Sequence, residues 1–198
     1  FEWNDDSTDW SKGLYARAMD LKLKNPSLKI SLAVGGWNMG VAPFKTLVAT
    51  DATIDSFVTS TVAFLKARNF DGLDLDWEYP DTTMKARFTV LCQKLSVAFK
   101  QNSLLLSAAI GAGKATIDNG YDIPAISQHL DFINIMTYDF HGSWDTVTGF
   151  NAPLYERPSD QDKTFNVDYA ARYVVSLGCP KSKLNLGLGT YGRSFTLS

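Results

Sequence analysis

The chain has 198 residues, 45% of them hydrophobic, 13% aromatic and 20% charged, which is enough apolar surface for one packed core of ordinary globular composition. Its 19 basic and 21 acidic residues give a formal net charge of -2 and are scattered, so there is no basic patch to attract nucleic acid or an anionic membrane. No apolar run approaches the roughly 20 residues of a membrane-spanning helix.

The chain opens at Phe1 with neither an initiator Met nor a charged-then-apolar targeting segment, and is expected to begin inside a longer product. Leu14, Ala18 and Leu21 form a weak helical stripe ending before Pro26. Residues 28–34 read as a strand and run into Gly35, Gly36, Trp37 and Asn38. Ile54, Phe57, Val58, Val62 and Leu65 follow helical spacing, residues 72–77 form the next strand, and Phe88, Leu91, Cys92, Leu95 and Phe99 mark a second core-facing helix. Strands follow at 104–110 and 132–137, the latter leading into Tyr138, Asp139, His141 and Trp144. Asn166 suits an N-cap; Val167, Ala170, Ala171 and Val174 form its stripe, and Gly178 followed by Pro180 ends that helix. The last strand, 184–189, runs into Tyr191 and Arg193.

Apolar runs alternating with helical stretches indicate repeated strand–helix units around a parallel sheet. Five units suit either an open doubly wound sheet or part of an eight-stranded barrel. The chain has no Gly-x-Gly-x-x-Gly turn, and its polar residues gather at strand C-termini, which favours the α/β class in its (β/α)8 TIM-barrel form. Five strands cannot close an eight-strand circle. Residues 1–198 are therefore expected to form an incomplete arc in one partial catalytic domain, with the missing strands outside it.

Within residues 71–80, Asp74, Asp76 and Glu78 occupy every second position. On a strand they share a face at intervals of about 6.6 Å, while Leu73, Leu75 and Trp77 face the other way. Folding alone does not call for such a row, since crowded acids repel and lose hydration unless protonated or hydrogen-bonded. Crowding is also how one acid's pKa is raised while a neighbour stays ionised, the requirement of acid–base catalysis. The competing readings are a solvated edge strand or a Mg²⁺ or Ca²⁺ site. Apolar flanks and the lack of a second acid-rich loop weigh against a metal, and no cofactor is expected. Cys92 and Cys179 fit no metal spacing and read as free, partly buried thiols in preference to a disulfide. Trp3, Trp10, Trp77 and most Phe residues read as packing.

These motifs together resemble a family 18 glycoside hydrolase of the animal chitinase type. The Asp-x-x-Asp-x-Asp-x-Glu signature is met by Asp71, Asp74, Asp76 and Glu78, and the Ser-x-Gly-Gly element by Ala33 to Gly36, with Ala in place of Ser. Met136, Tyr138 and Asp139 supply Met-x-Tyr-Asp, and Tyr191 to Phe195 supply Tyr-Gly-Arg-Ser-Phe. The resemblance implies that the chain covers the third to seventh strand–helix units of the barrel. It implies hydrolysis of β-1,4 bonds in chitin and N-acetylglucosamine oligosaccharides by a secreted monomer, with the substrate's own acetamide as nucleophile. Glu78 would be the acid, Asp76 would orient the acetamide, Asp74 would hold or share a proton with Asp76, and Tyr138 would bond the acetamide oxygen beside Asp139. Trp37, Asn38, Tyr79, Met136, Trp144, Tyr191 and Arg193 would contact sugar. Rival readings are a chitin-binding lectin that has lost the acid, an endo-β-N-acetylglucosaminidase, and a fragment inactive through incompleteness. Lectin-type relatives typically replace the acid that Glu78 retains.

Overall fold

The computed structural model describes residues 4–196. Trp3 lies outside them. In chain order the elements are α1 (Leu14–Met19), α2 (Leu21–Lys24), β1 (Ser31–Gly35), α3 (Ala42–Leu47), α4 (Asp51–Ala67), β2 (Gly72–Asp76), α5 (Lys85–Asn102), β3 (Leu105–Gly111), α6 (Lys114–Gly120), α7 (Ile123–His129), β4 (Phe132–Met136), α8 (Val167–Ser176) and β5 (Leu184–Leu186). The five strands lie side by side in sequence order and every pair is parallel. A doubly wound sheet reverses its strand order part-way across, and this one does not, so the sheet is an unclosed arc of a barrel.

Side chains alternate between the two faces. Leu73, Leu75, Leu106, Ala108, Ile110, Ile133 and Ile135 are at most 1% exposed and pack with the helices, while Asp74, Ser107 and Asn134 lie on the opposite, concave face. From the helix side, Leu91, Cys92, Leu95 and Phe99 of α5 and Ile54 and Leu65 of α4 complete the core. Each fully buried Leu, Ile or Phe contributes about 1.5–3 kcal/mol. Behind β2 an aromatic row links α3, the end of β2, α5 and the end of α6: Phe44 stacks on Trp77 at 5.0 Å, Trp77 meets Phe88 edge-on at 6.0 Å, and Phe88 meets Tyr121 at 5.6 Å.

Helix ends match local chemistry. Thr50 and Thr53 form a reciprocal capping box on α4, and the Asn166 side chain accepts the Tyr169 N–H at 2.8 Å to start α8. At its other end Gly178 (φ 108°) completes a Schellman closure, in which Cys179 N–H reaches Val174 O and Gly178 N–H reaches Val175 O. Cys92 and Cys179 are buried free thiols.

Two aspartates act as matching clips between strands. Asp71 N–H donates to Ile30 O while its carboxylate accepts Ile30 N–H at 2.7 Å, and Asp131 does the same to Leu106. Burial raises the Asp71 pKa, but the bonds to Lys22 and Ile30 N–H and the charges of Lys22 and Lys29 outweigh it, leaving a net lowering.

Three sequence expectations are corrected. The α1–α2 stripe is misassigned: Leu14 and Leu21 are 42% and 51% exposed, and Tyr15 and Met19 pack on the core instead, Tyr15 edge-on to Phe70 at 5.2 Å. Trp10 is 75% exposed and is not core. The outer strands are shorter than read. Leu28 is still in a turn closing on Asn25, and β5 stops at Leu186; Gly187 still donates to Ile135 O at 2.9 Å, and the Tyr138 ring lies where a side chain at Gly187 would be. Within the arc β1 and β5 each have one strand neighbour, and a groove of about 630 Å³ lined by Leu32, Val34, Phe57 and Phe64 runs beside β1.

Candidate active site

The C-terminal ends of the parallel strands converge on one rim. β1 ends in two glycines in the left-handed half of φ space, Gly35 (φ 126°) and Gly36 (φ 89°), and Gly36 N–H donates to Asp76 O at 2.7 Å. A Cβ on Gly35 would sit 1.9 Å from Asp76 O, so only glycine permits this approach. Trp37 and Asn38 follow on a single 3₁₀ turn, Trp37 72% exposed.

β2 contributes the acids. Asp74 Oδ1 accepts from Ser107 Oγ at 2.5 Å and from Asn134 Nδ2 at 2.9 Å. Asp76 differs: its Oδ1 is buried without a hydrogen-bond partner, and its Oδ2 lies 3.6 Å from where a Gly36 side chain would begin. Burial, then the charges of Glu78 and Asp74, push the Asp76 pKa from 3.8 up to about 6. Glu78 is partly buried just past the strand end. Tyr79 has its pKa raised by burial, by the Glu78 charge and by a hydrogen bond to Glu78, and its ring lies against Gly111 of β3, where a Cβ would come within 3.0 Å. Tyr121 supports this corner from below, its buried hydroxyl accepting Gly111 N–H.

β4 ends in Met136, and Tyr138 follows on a tight turn in which its N–H reaches Met136 O. The Tyr138 pKa is raised by burial and by the charges of Asp76, Glu78, Asp139 and Asp74, which places its ring beside the acid row. Asp139 (φ 57°) accepts from Arg193, through Nε at 2.9 Å and Nη2 at 2.5 Å. Arg193 in turn lies 5.1 Å from the Trp144 ring and 5.5 Å from Tyr191, and Tyr191 meets Tyr138 edge-on at 6.1 Å. Asp74, Asp76, Glu78, Tyr79, Tyr138 and Asp139 thus share one electrostatic neighbourhood, and Tyr191, Arg193 and Trp144 join it through Asp139. His141 is held by Asp145 at 3.2 Å and packs against Phe165, and so braces the loop.

Sequence reasoning missed Ser107, Asn134, Tyr121 and Asn151. Asn151 ties two strand exits, its Oδ1 accepting Asp139 N–H at 3.0 Å and its Nδ2 donating to Tyr191 O at 3.2 Å. Ser107 and Asn134 could have been noticed as polar residues on the concave side of otherwise apolar strands; Asn151, in a long irregular loop, carries no comparable sign. Among the described residues no group of three His, Cys, Asp or Glu is placed to hold a metal, and no helix is long and apolar enough to cross a membrane.

The folded state binds the Asp76 proton more tightly than the unfolded state, so its contribution is fullest below 3.8 and is lost as pH rises through about 6. Asp76→Asn in the full-length protein is expected to raise stability at pH 7 by about 1–2 kcal/mol, after allowance for partial exposure, and to flatten the pH dependence of Tm between about pH 4 and 6. An unchanged slope would show that Asp76 ionises normally.

A parallel strand–helix arc with acids and aromatics gathered at its C-terminal rim is the layout of a (β/α)8-barrel glycosidase. The family described as Glycosyl hydrolases family 18 matches residues 1–198, and the chain belongs to it. It is 44% identical to Probable chitinase 2 of Drosophila melanogaster over 98% of this chain and 40% of that protein. The chitinase TsES1 of Trichuris suis superposes with a TM-score of 0.90 at 43% identity, covering 95% of this chain and 52% of that one. Human YKL-39, described as a pseudo-chitinase with retained chitooligosaccharide binding, gives a TM-score of 0.85 at 39% identity over 88% of this chain and 51% of its own. The chain thus spans about half the length of these relatives.

Proposed function

We propose that the protein containing this chain hydrolyses β-1,4 bonds in chitin and its oligosaccharides by a substrate-assisted, retaining mechanism. The observation that carries this reading is the Asp74, Asp76, Glu78 row at the C-terminal end of β2 with Tyr138 beside it. Glu78 donates its proton to the glycosidic oxygen as that bond to the anomeric carbon breaks. The acetamide carbonyl oxygen of the same sugar bonds to the anomeric carbon, giving an oxazolinium ion. Water then attacks that carbon, Glu78 now taking the proton. Asp76 faces the acetamide N–H and stabilises its growing positive charge, while the Tyr138 hydroxyl donates to the acetamide oxygen. Exposed Trp37 and Trp144, with Tyr79, Tyr191 and Arg193, present flat or cationic faces to neighbouring sugars, with Asn38 and Met136 alongside.

The chain represents the third to seventh units of the barrel, and the strands beside β1 and β5 come from residues outside it. A secreted monomer acting on extracellular polysaccharide fits this reading. A second reading, binding without turnover as described for YKL-39, is favoured by the exposed aromatics and opposed by the retained Glu78.

The test is substrate choice by the full-length protein. N-acetylchitooligosaccharides are expected to be cleaved with retention at the anomeric carbon, and cellooligosaccharides, which lack the acetamide, to be cleaved at least about 10³-fold more slowly, since the intramolecular nucleophile is gone. Efficient cleavage of the glucose polymer would refute substrate assistance, and binding of the chitin oligomer without turnover would support the binding-protein reading. Turnover confined to the chitobiose core of N-glycans would point to the endo-β-N-acetylglucosaminidase.

A further inference from the structure

Past the sheet, the polypeptide leaves β4 and β5 by two separate exits. Among the described residues the last backbone bond between the two strands runs from Gly187 N–H to Ile135 O at 2.9 Å, and beyond it side chains join the exits. Asn151 stands at the centre of that join. Its Oδ1 accepts Asp139 N–H at 3.0 Å and its Nδ2 donates to Tyr191 O at 3.2 Å. One partner can only donate and the other can only accept, so a single orientation of the amide satisfies both; Asp and Leu, which match Asn in size, cannot.

The same residue closes a loop. Its backbone O accepts Phe140 N–H at 3.0 Å, so residues 140–151 leave the rim and return to it at one neck. Within the loop Asp145 accepts Gly142 N–H at 3.0 Å and holds His141, and the Trp144 ring lies where a side chain at Gly142 would be. Just past the neck, Pro153 O and Leu154 O accept Val167 and Asp168 N–H, the first of α8, at 2.9 and 3.0 Å. The loop that carries the exposed Trp144 is thus fixed at its base by α8 on one side and by the Asn151 amide on the other. That amide also packs on the β5 exit, since a Cβ at Gly189 would lie only 3.0 Å from Asn151 Nδ2. Arg193, bonded to Asp139, lies 5.1 Å from Trp144 and 5.5 Å from Tyr191. Trp144, Arg193 and Tyr191 therefore form one wall with Asn151 as its fastening, and Trp37, after β1, stands across β2 from it.

We propose that Asn151 is a positioning residue that sets the affinity for the sugars lying on the Trp144 side of Glu78. It fixes the spacing between the Trp144 loop and the β5 exit, and with it the cleft in which those sugars sit. Its hydrogen bonds go to Asp139, Phe140 and Tyr191 and not to the acids of β2, so its loss acts on binding and leaves proton transfer in place. The inference rests on the hydrolase reading for the class of its ligand.

In the full-length protein, Asn151→Leu, which makes neither side-chain bond, is expected to raise KM for N-acetylchitohexaose by about tenfold while kcat stays within about threefold. Asn151→Asp still accepts Asp139 N–H but sets a carboxylate oxygen against Tyr191 O, and is expected to raise KM by about five- to tenfold. Trp144→Ala tests the path. Independent losses would multiply, whereas loss through the wall means that adding Asn151→Leu to Trp144→Ala raises KM by no more than about twofold further. The Kd for the hexamer, measured by calorimetry in the Glu78→Gln background so that hydrolysis does not consume the ligand, is expected to follow the same pattern. A fall in kcat with KM unchanged, an Asn151→Asp variant that binds like its parent, or full multiplication with Trp144→Ala would each overturn the proposal. Asn151→Asp keeps the size of the side chain and one of its bonds, and decides the matter if Asn151→Leu fails to fold. A parent protein that binds the hexamer without turning it over would refute the hydrolase reading, and the Kd pattern would then test Asn151 by itself.

Discussion

Glu78→Gln in the full-length protein is expected to lower kcat by about 10²–10⁴-fold while changing the Kd for N-acetylchitooligosaccharides by less than about threefold. Gln matches Glu in volume, so the local packing is expected to survive and only the transferable proton to be lost. The charge also disappears, and it is the second-ranking cause, after burial, of the raised Asp76 pKa. Asp76 is therefore expected to titrate lower in the variant, nearer to its ordinary 3.8, visible as a carboxyl resonance shifting with pH. Initial rates on a fluorogenic oligosaccharide and calorimetric binding to the same ligand measure the two halves. Retention of more than about a tenth of the parent kcat would remove Glu78 from the role of acid.

Gly35→Ala is expected to be the most damaging small substitution in the site. Its Cβ would lie 1.9 Å from Asp76 O, 2.6 Å from Asp76 C and 3.0 Å from Phe44 Cε2, at a φ of 126° that side chains rarely adopt. The contact is with backbone, so relief requires parting β1 from β2, with loss of the bond from Gly36 N–H to Asp76 O and displacement of Asp76 itself. A loss of at least about 4 kcal/mol is expected, combining steric overlap with backbone strain, together with poor soluble yield. Gly192→Ala is the matched control. Nothing lies within 4 Å of a Cβ there and no unusual φ is required, so its Tm is expected to stay within about 2 °C. If Gly35→Ala melts like its parent, the tight approach of the β1 end to Asp76 is not a requirement of the fold.

Different parts of the molecule were legible to different degrees for identifiable reasons. The five strands and the stripes of α4, α5 and α8 are carried by local periodicity, which acts through burial of one face; the α5 stripe and the apolar faces of β2, β3 and β4 are buried as read, whereas Phe57, Val58 and Val62 of α4 and Leu32 and Val34 of β1 are only partly buried and Leu186 of β5 is exposed. The stripe of α1 misled because that helix is short, has no fully buried residue, and docks through Tyr15 and Met19. Strand ends were misjudged at the outer strands, where Leu28 closes a turn on Asn25 and β5 stops at Leu186. Asp74, Asp76 and Glu78 stood out because alternation is a local property of a strand. Their partners did not, because Ser107 and Asn134 are 33 and 60 residues from Asp74 in the chain.

The class of fold, the acid row and the set of rim motifs are legible in the amino-acid order, since each depends on residues close together in the chain whose spacing maps onto one strand face or one turn. The difference between the two inner acids comes from contacts across the sheet. Asp74 is hydrogen-bonded from β3 and β4, whereas the Oδ1 of Asp76, beside Gly36, is buried without a hydrogen-bond partner, because parallel register brings residues from distant segments to the same depth in the barrel.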